Sequence, residues 1–165
     1  MTSWTAKAEV PKRANINLVQ NALFKVVSTR DGDDVTVSRG SERLRIRLAC
    51  IDAPEMEQKP WGQQSAQRLK QLLPAGQTVQ LRVVNTDESG RTVAEVYRGN
   101  QSVNLQMVKE GQAVVYPHHI NNCAASKNQY LQAEATAKQQ RLGFWNQSQP
   151  ITPWDFRRSQ RNRGH

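Results

Sequence analysis

Apolar and polar residues alternate with period two across residues 43–51, as a strand with one buried face requires. Leu44, Ile46, Leu48 and Cys50 fall on one side, and Arg43, Arg45 and Arg47 on the other. Residues 22–28 also suit a strand. Asp31-Gly32 marks a turn, after which Val35 and Val37 resume the alternation. Gly40-Ser41 then turns into the arginine-bearing strand, so three strands follow one another as an antiparallel meander. The period changes at Ala66, Leu69, Leu72 and Leu73, which predict a helix over 63–73 stopped by Pro74-Ala75-Gly76. Val79, Leu81 and Val83 predict a fourth strand, residues 85–90 a loop, and residues 91–97 a fifth strand. Two further helices are expected over 102–110 and 127–142, ended by Gly111 and Gly143. Residues 1–21 read as a lead-in and 147–165 as a basic tail without periodicity, leaving 22–146 as the folded domain. The class is α+β. Its five strands either close into an OB-fold β-barrel with about three helices or remain an open sheet.

Charge narrows the partners. The 165 residues carry 23 Lys and Arg against 14 Asp and Glu, a formal +9, with an isoelectric point near 10.1. Such a field concentrates polyanions, nucleic acid before all others. No apolar run reaches the length of a membrane span, and no basic amphipathic helix is evident. Met1 to Arg13 holds no apolar run, so no signal peptide is expected within the chain. Cys50 falls on a core-facing strand position, and the reading favours unpaired thiols at Cys50 and Cys123.

Strand 43–51 runs straight into Asp52-Ala53-Pro54-Glu55, where Pro54 withholds a ladder donor and ends the strand. A guanidinium is thus followed at once by two carboxylates. In a meander the hairpin turn carrying Asp33 can meet the strand end carrying Asp52, placing two carboxylates around one hard cation. No Cys/His cluster has zinc spacing, since His118 and His119 are adjacent and without a partner. Cleaving a phosphodiester requires charge neutralisation on the non-bridging oxygens, which Arg47 and Arg91 can supply as forked donors. It also requires a base for the attacking water, a role open to Glu55. Singly, each aspartate is a turn former before it is a ligand, Arg47 a solvent-facing strand residue and Arg91 the residue after a turn glycine.

The ordered set is more specific. D-G-D, R-L-A-C-I-D-A-P-E, D-E-S-G-R, Val103-Asn104 and Gly143-Phe144-Trp145 together resemble the staphylococcal nuclease (thermonuclease) family over about residues 22–146. The resemblance implies an OB-fold barrel with three helices and calcium-dependent hydrolysis of DNA and RNA with low sequence specificity. By motif, Asp33, Asp52 and the Ala53 carbonyl would hold the ion, with magnesium or manganese as substitutes. Glu55 would be the base, and Arg47 and Arg91 would grip phosphate. Tyr116 and Lys59 are candidates for substrate contact. The resemblance further implies a monomer, single strands as preferred partners, no membrane, and a secreted or periplasmic location. Two departures stand out: Ala replaces a common threonine at 53, and Glu88-Ser89 replace a lysine and tyrosine near a terminal phosphate.

A non-catalytic module that binds single-stranded nucleic acid on the same barrel is the alternative. The joint retention of Asp33, Arg47, Asp52, Glu55 and Arg91 favours the enzyme, because carboxylates without a cation repel a polyanion.

Overall fold

The structure, a computed structural model, describes residues 22–163; the expected lead-in over 1–21 lies outside the described residues. Strand β1 (Leu23–Thr29) pairs antiparallel with β2 (Asp34–Arg39), and β2 with β3 (Glu42–Leu48), the meander expected from alternation. The far side of β1 pairs with β5 (Thr78–Thr86), which pairs in turn with β6 (Thr92–Arg98). Parallel pairing of β3 with β6, from Ile46 opposite Thr92 to Leu48 opposite Ala94, closes the five strands into a barrel. Period-two positions of the barrel strands form its interior: Phe24, Val26, Val35, Val37, Ile46, Leu48, Leu81, Ala94 and Val96 are buried. Closure therefore resolves the choice between barrel and open sheet.

The alternating run 43–51 is not one strand. β3 ends at Leu48, Ala49 N–H donates to the Ala94 carbonyl at 2.8 Å, and Cys50 adopts a left-handed φ of 68°. The chain leaves that turn in a new direction as β4 (Ile51–Asp52), which pairs with β8 (Val114–Val115) outside the barrel. A non-glycine residue at this φ is uncommon and needs support. It comes from the Cys50 carbonyl, which accepts from Tyr116 N–H at 2.9 Å, and from a disulfide to Cys123. The expected free thiols are thus corrected. Alternation placed Cys50 on the barrel's core face, whereas the chain reversal aims it at the segment Ile120–Ser126.

Helix α1 (Trp61–Leu72) buries Leu69, with Leu73 buried just beyond its end. The two-residue strand β7 (Gln101–Ser102) leads into α2 (Val103–Lys109), whose N-cap Ser102 accepts from Leu105 N–H. α3 (Lys127–Gln139) brings Tyr130 against the barrel, where its hydroxyl donates to the fully buried Glu95 at 2.6 Å. Arg82 donates to the same carboxylate at 2.6 Å, so this buried charge is paired and hydrogen-bonded. The basic tail, which shows no periodicity in the sequence, contains a further helix, α4 (Pro153–Arg163). Among the described residues no helix is long and apolar enough to cross a membrane.

Candidate active site

One cleft of about 690 Å³ opens at the end of the barrel where β3 gives way to β4. Its lining includes Asp31, Asp33, Arg47, Asp52, Glu55, Asp87, Arg91, Tyr116 and Arg157. Residues from the β1–β2 turn, the β3–β4 turn and the β5–β6 loop therefore meet, as their resemblance implied.

The two acidic turns are fastened to each other. Asp33 Oδ2 accepts from Ala53 N–H at 2.8 Å, and Leu48 N–H donates to the Asp33 carbonyl at 2.9 Å. Gly32 is required by close approach: a Cβ there would overlap Ser65 of α1 and fall 2.7 Å from the Ala53 Cβ. Gly62 plays the same part beneath Glu55, where a Cβ would strike the Glu55 carbonyl. Glu55 N–H further donates to Gln58 Oε1 at 2.8 Å. β4 is steadied from behind, because Glu134 of α3 accepts from Val115 N–H at 2.7 Å in the strand opposite Ile51.

Arg47 is no exposed strand residue. Its side chain is 16% exposed, and NH1 donates to the carbonyls of Leu48 at 2.9 Å and Ile51 at 3.1 Å. The same group lies 3.2 Å from Asp33 Oδ2, and NH2 lies 3.4 Å from Asp52 Oδ1. Burial opposes its charge, but Asp33 and Asp52 outweigh burial and raise its pKa. Among the described residues its Nε makes no hydrogen bond. Arg91 is held differently. Asp87 accepts from Arg91 Nε and from its backbone N–H, both at 2.9 Å, and Asp34 lies 3.7 Å from NH1.

The carboxylates are primed for a positive partner. Burial pushes Asp52 and Glu55 above their ordinary values, against the opposing pull of Arg157. Burial, then the nearby charge of Asp33, pushes Asp31 up to about 7. Three acids resist ionisation in this cleft, so added positive charge is favourable there.

That charge now comes from the C-terminal helix. Arg157 NH1 and NH2 grip Asp52 at 3.1 and 2.8 Å, and NH1 reaches Glu55 Oε2 at 2.9 Å. Among the described residues no three His, Cys, Asp or Glu side chains are gathered closely enough to hold an ion together. The donors themselves, carboxylates of Asp33 and Asp52 with the Ala53 carbonyl, are all hard oxygen and fit a calcium-like ion.

The remaining expectations divide. Tyr116 lines the cleft, with its ring 4.7 Å from His119 and 5.3 Å from Trp154. Lys59 is exposed and is not among the residues that line the cleft. Four further residues bear on the site: Asp31, Asp87 and Arg157 line the cleft, and Asn104 is buried against the β3–β4 turn. Asp31 was read only as a turn former, although D-G-D contains it. Asp87 opens the turn D-E-S-G, where its carboxylate accepts from Ser89 N–H at 3.0 Å, and that turn is the signal in the sequence. Asn104, quoted as motif without a role, ties the barrel to the β3–β4 turn. Arg157 left no local signal at all.

Residues 45–147 match the family described as staphylococcal nuclease homologue. A protein of Shigella flexneri named micrococcal nuclease is 36% identical over 147 residues, covering 84% of this chain and 82% of the relative. An uncharacterized endonuclease of Haemophilus influenzae is also 36% identical, over 83% of this chain and 74% of its own. The probable staphylococcal-like nuclease CAN3 of rice is 32% identical over 90% of this chain, which spans only 36% of that longer protein. The family match ends before α4 begins.

Proposed function

The chain belongs to the staphylococcal nuclease family, and on that premise we propose that it hydrolyses phosphodiester bonds of DNA and RNA with calcium as cofactor. The observation that carries the proposal is the convergence of Asp33, Arg47, Asp52, Glu55 and Arg91 on one cleft. Asp33, Asp52 and the Ala53 carbonyl would hold the ion, which supplies Lewis-acid charge to a phosphate oxygen. Glu55 takes the proton of the attacking water, its pKa raised by burial toward that of a useful base. Arg91, oriented by Asp87, and Arg47, fixed by the β3–β4 carbonyls, stabilise the equatorial oxygens as phosphorus becomes five-coordinate.

None of these groups reads a base, which supports low sequence specificity and tolerance of both sugars. The proposed groups line a cleft of about 690 Å³ that a phosphate must enter; this supports single strands as preferred substrate. The Cys50–Cys123 disulfide supports work in an oxidising compartment, outside the cell or in the periplasm. We take the working unit to be a monomer, since every proposed group comes from one chain. Magnesium or manganese would satisfy the same oxygens.

The test is incubation of a single-stranded oligonucleotide with calcium, with magnesium or manganese, and with a chelator. Cleavage with calcium that stops in chelator is expected. Binding without cleavage under every metal would overturn the enzyme in favour of a binding module.

A further inference from the structure

α4 bears on the site at two independent points. At one, Arg157 takes both carboxylate oxygens of Asp52 and one of Glu55. At the other, the Trp154 ring lies 5.3 Å from the Tyr116 ring and 6.3 Å from that of His118. A cation is thus placed on the proposed metal carboxylate, and an aromatic plane on the aromatic residue that lines the same cleft. In chemical terms the helix presents what a metal-bound nucleotide would present: positive charge for the acids and a flat ring for Tyr116.

The two occupancies draw on the same oxygens. An ion ligated by Asp52 needs an oxygen that Arg157 now holds, and Oδ1 is also shared with Arg47. Glu55 cannot accept a proton from water through Oε2 while that oxygen binds NH1 of Arg157.

The helix is lightly anchored for its length. Pro153 is its one buried residue among those described, and Gln58 Nε2 fastens the lead-in by donating to the Ile151 carbonyl at 2.8 Å. Arg158, Arg161 and Arg163 are exposed on it, so a polyanion has charge to draw on without entering the cleft. A segment held by one ion-pair cluster and few apolar contacts opens at low cost.

We infer that α4 is a displaceable internal occupant of the active site, whose Arg157 competes with the divalent ion and whose Trp154 competes with nucleic acid. This rests on the nuclease reading for the identity of the competitors, though not for the displacement itself. Opening would couple to substrate: the ion and nucleic acid both favour the state with α4 withdrawn, so each strengthens binding of the other.

The full-length chain and its Arg157→Ala and Trp154→Ala variants test this. Calorimetric titration with calcium should give at least tenfold tighter binding for Arg157→Ala than for the parent. Hydrogen exchange across 153–163 should accelerate when calcium, or a single-stranded oligonucleotide in chelator, is added to the parent. Trp154→Ala should bind the oligonucleotide several-fold more tightly. Exchange across α4 that neither ligand changes, or calcium binding equal or weaker in Arg157→Ala, would overturn the inference. If α4 is released by oligonucleotide yet no metal supports cleavage, the inference stands and the nuclease reading falls.

Discussion

Asn104 Nδ2 donates to the Ala49 carbonyl at 3.0 Å, joining the start of α2 to the turn from which β4 and Asp52 emerge. The same amide donates to the Ala94 carbonyl at 3.2 Å, and its oxygen accepts from Val96 N–H at 2.9 Å. Ala94 is also where Ala49 N–H closes β3 onto β6, so one buried side chain secures the barrel seam beneath the active site. Asn104→Ala would take this partner from the Ala49 carbonyl and the Val96 N–H, at about 1–3 kcal/mol for each group so left. Urea unfolding should show a loss on the order of 3 kcal/mol, and turnover should fall beyond what the folded fraction explains. Unchanged stability would remove Asn104 from this role.

The acid cluster gives a pH signature. Asp31 has its carboxyl raised from 3.8 to about 7 by burial and then by Asp33. A raised acid is protonated in the folded state where the unfolded chain has already ionised, so stability falls as pH rises through this window. Asp31→Asn removes the cost. In chelator the variant should be the more stable protein at about pH 8, with the gain shrinking as pH falls through 7 and gone below about 4. Denaturant midpoints across this range measure it; a gain that grew toward acid would contradict the assignment.

The disulfide spans 73 residues and fixes the left-handed turn at Cys50, next to β4. In the chain-entropy account a loop of that length contributes about 4 kcal/mol. Cys50→Ser with Cys123→Ser should lose stability on that scale by urea unfolding. Cleavage should drop as well, because Asp52 follows the turn that the bridge holds.

The barrel was legible because alternation writes itself locally: Phe24, Val37, Ile46, Leu81 and Val96 mark their strands without help from distant residues. The site was legible through its motifs rather than through periodicity. Nothing in the spacing of Asp33 and Asp52 alone states that Asp33 accepts from Ala53 N–H across the fold. The left-handed φ at Cys50 was hidden, since an alternating sequence carries no mark of a chain reversal, and the disulfide was lost with it. α4 was missed for a related reason. It buries only Pro153 and so lacks an apolar stripe, while the Arg157–Asp52 pair that locates it joins residues 105 apart.

Glu55 is the proposed base of the hydrolysis in this cleft, and Glu55→Gln is the sharpest test of that role. The measurement is the single-turnover cleavage rate of a single-stranded oligonucleotide in calcium, taken beside the affinity for that oligonucleotide. The account predicts a rate lower by about 10²–10⁴-fold, with affinity within a few-fold of the parent. A variant that cleaved at the parental rate would contradict it.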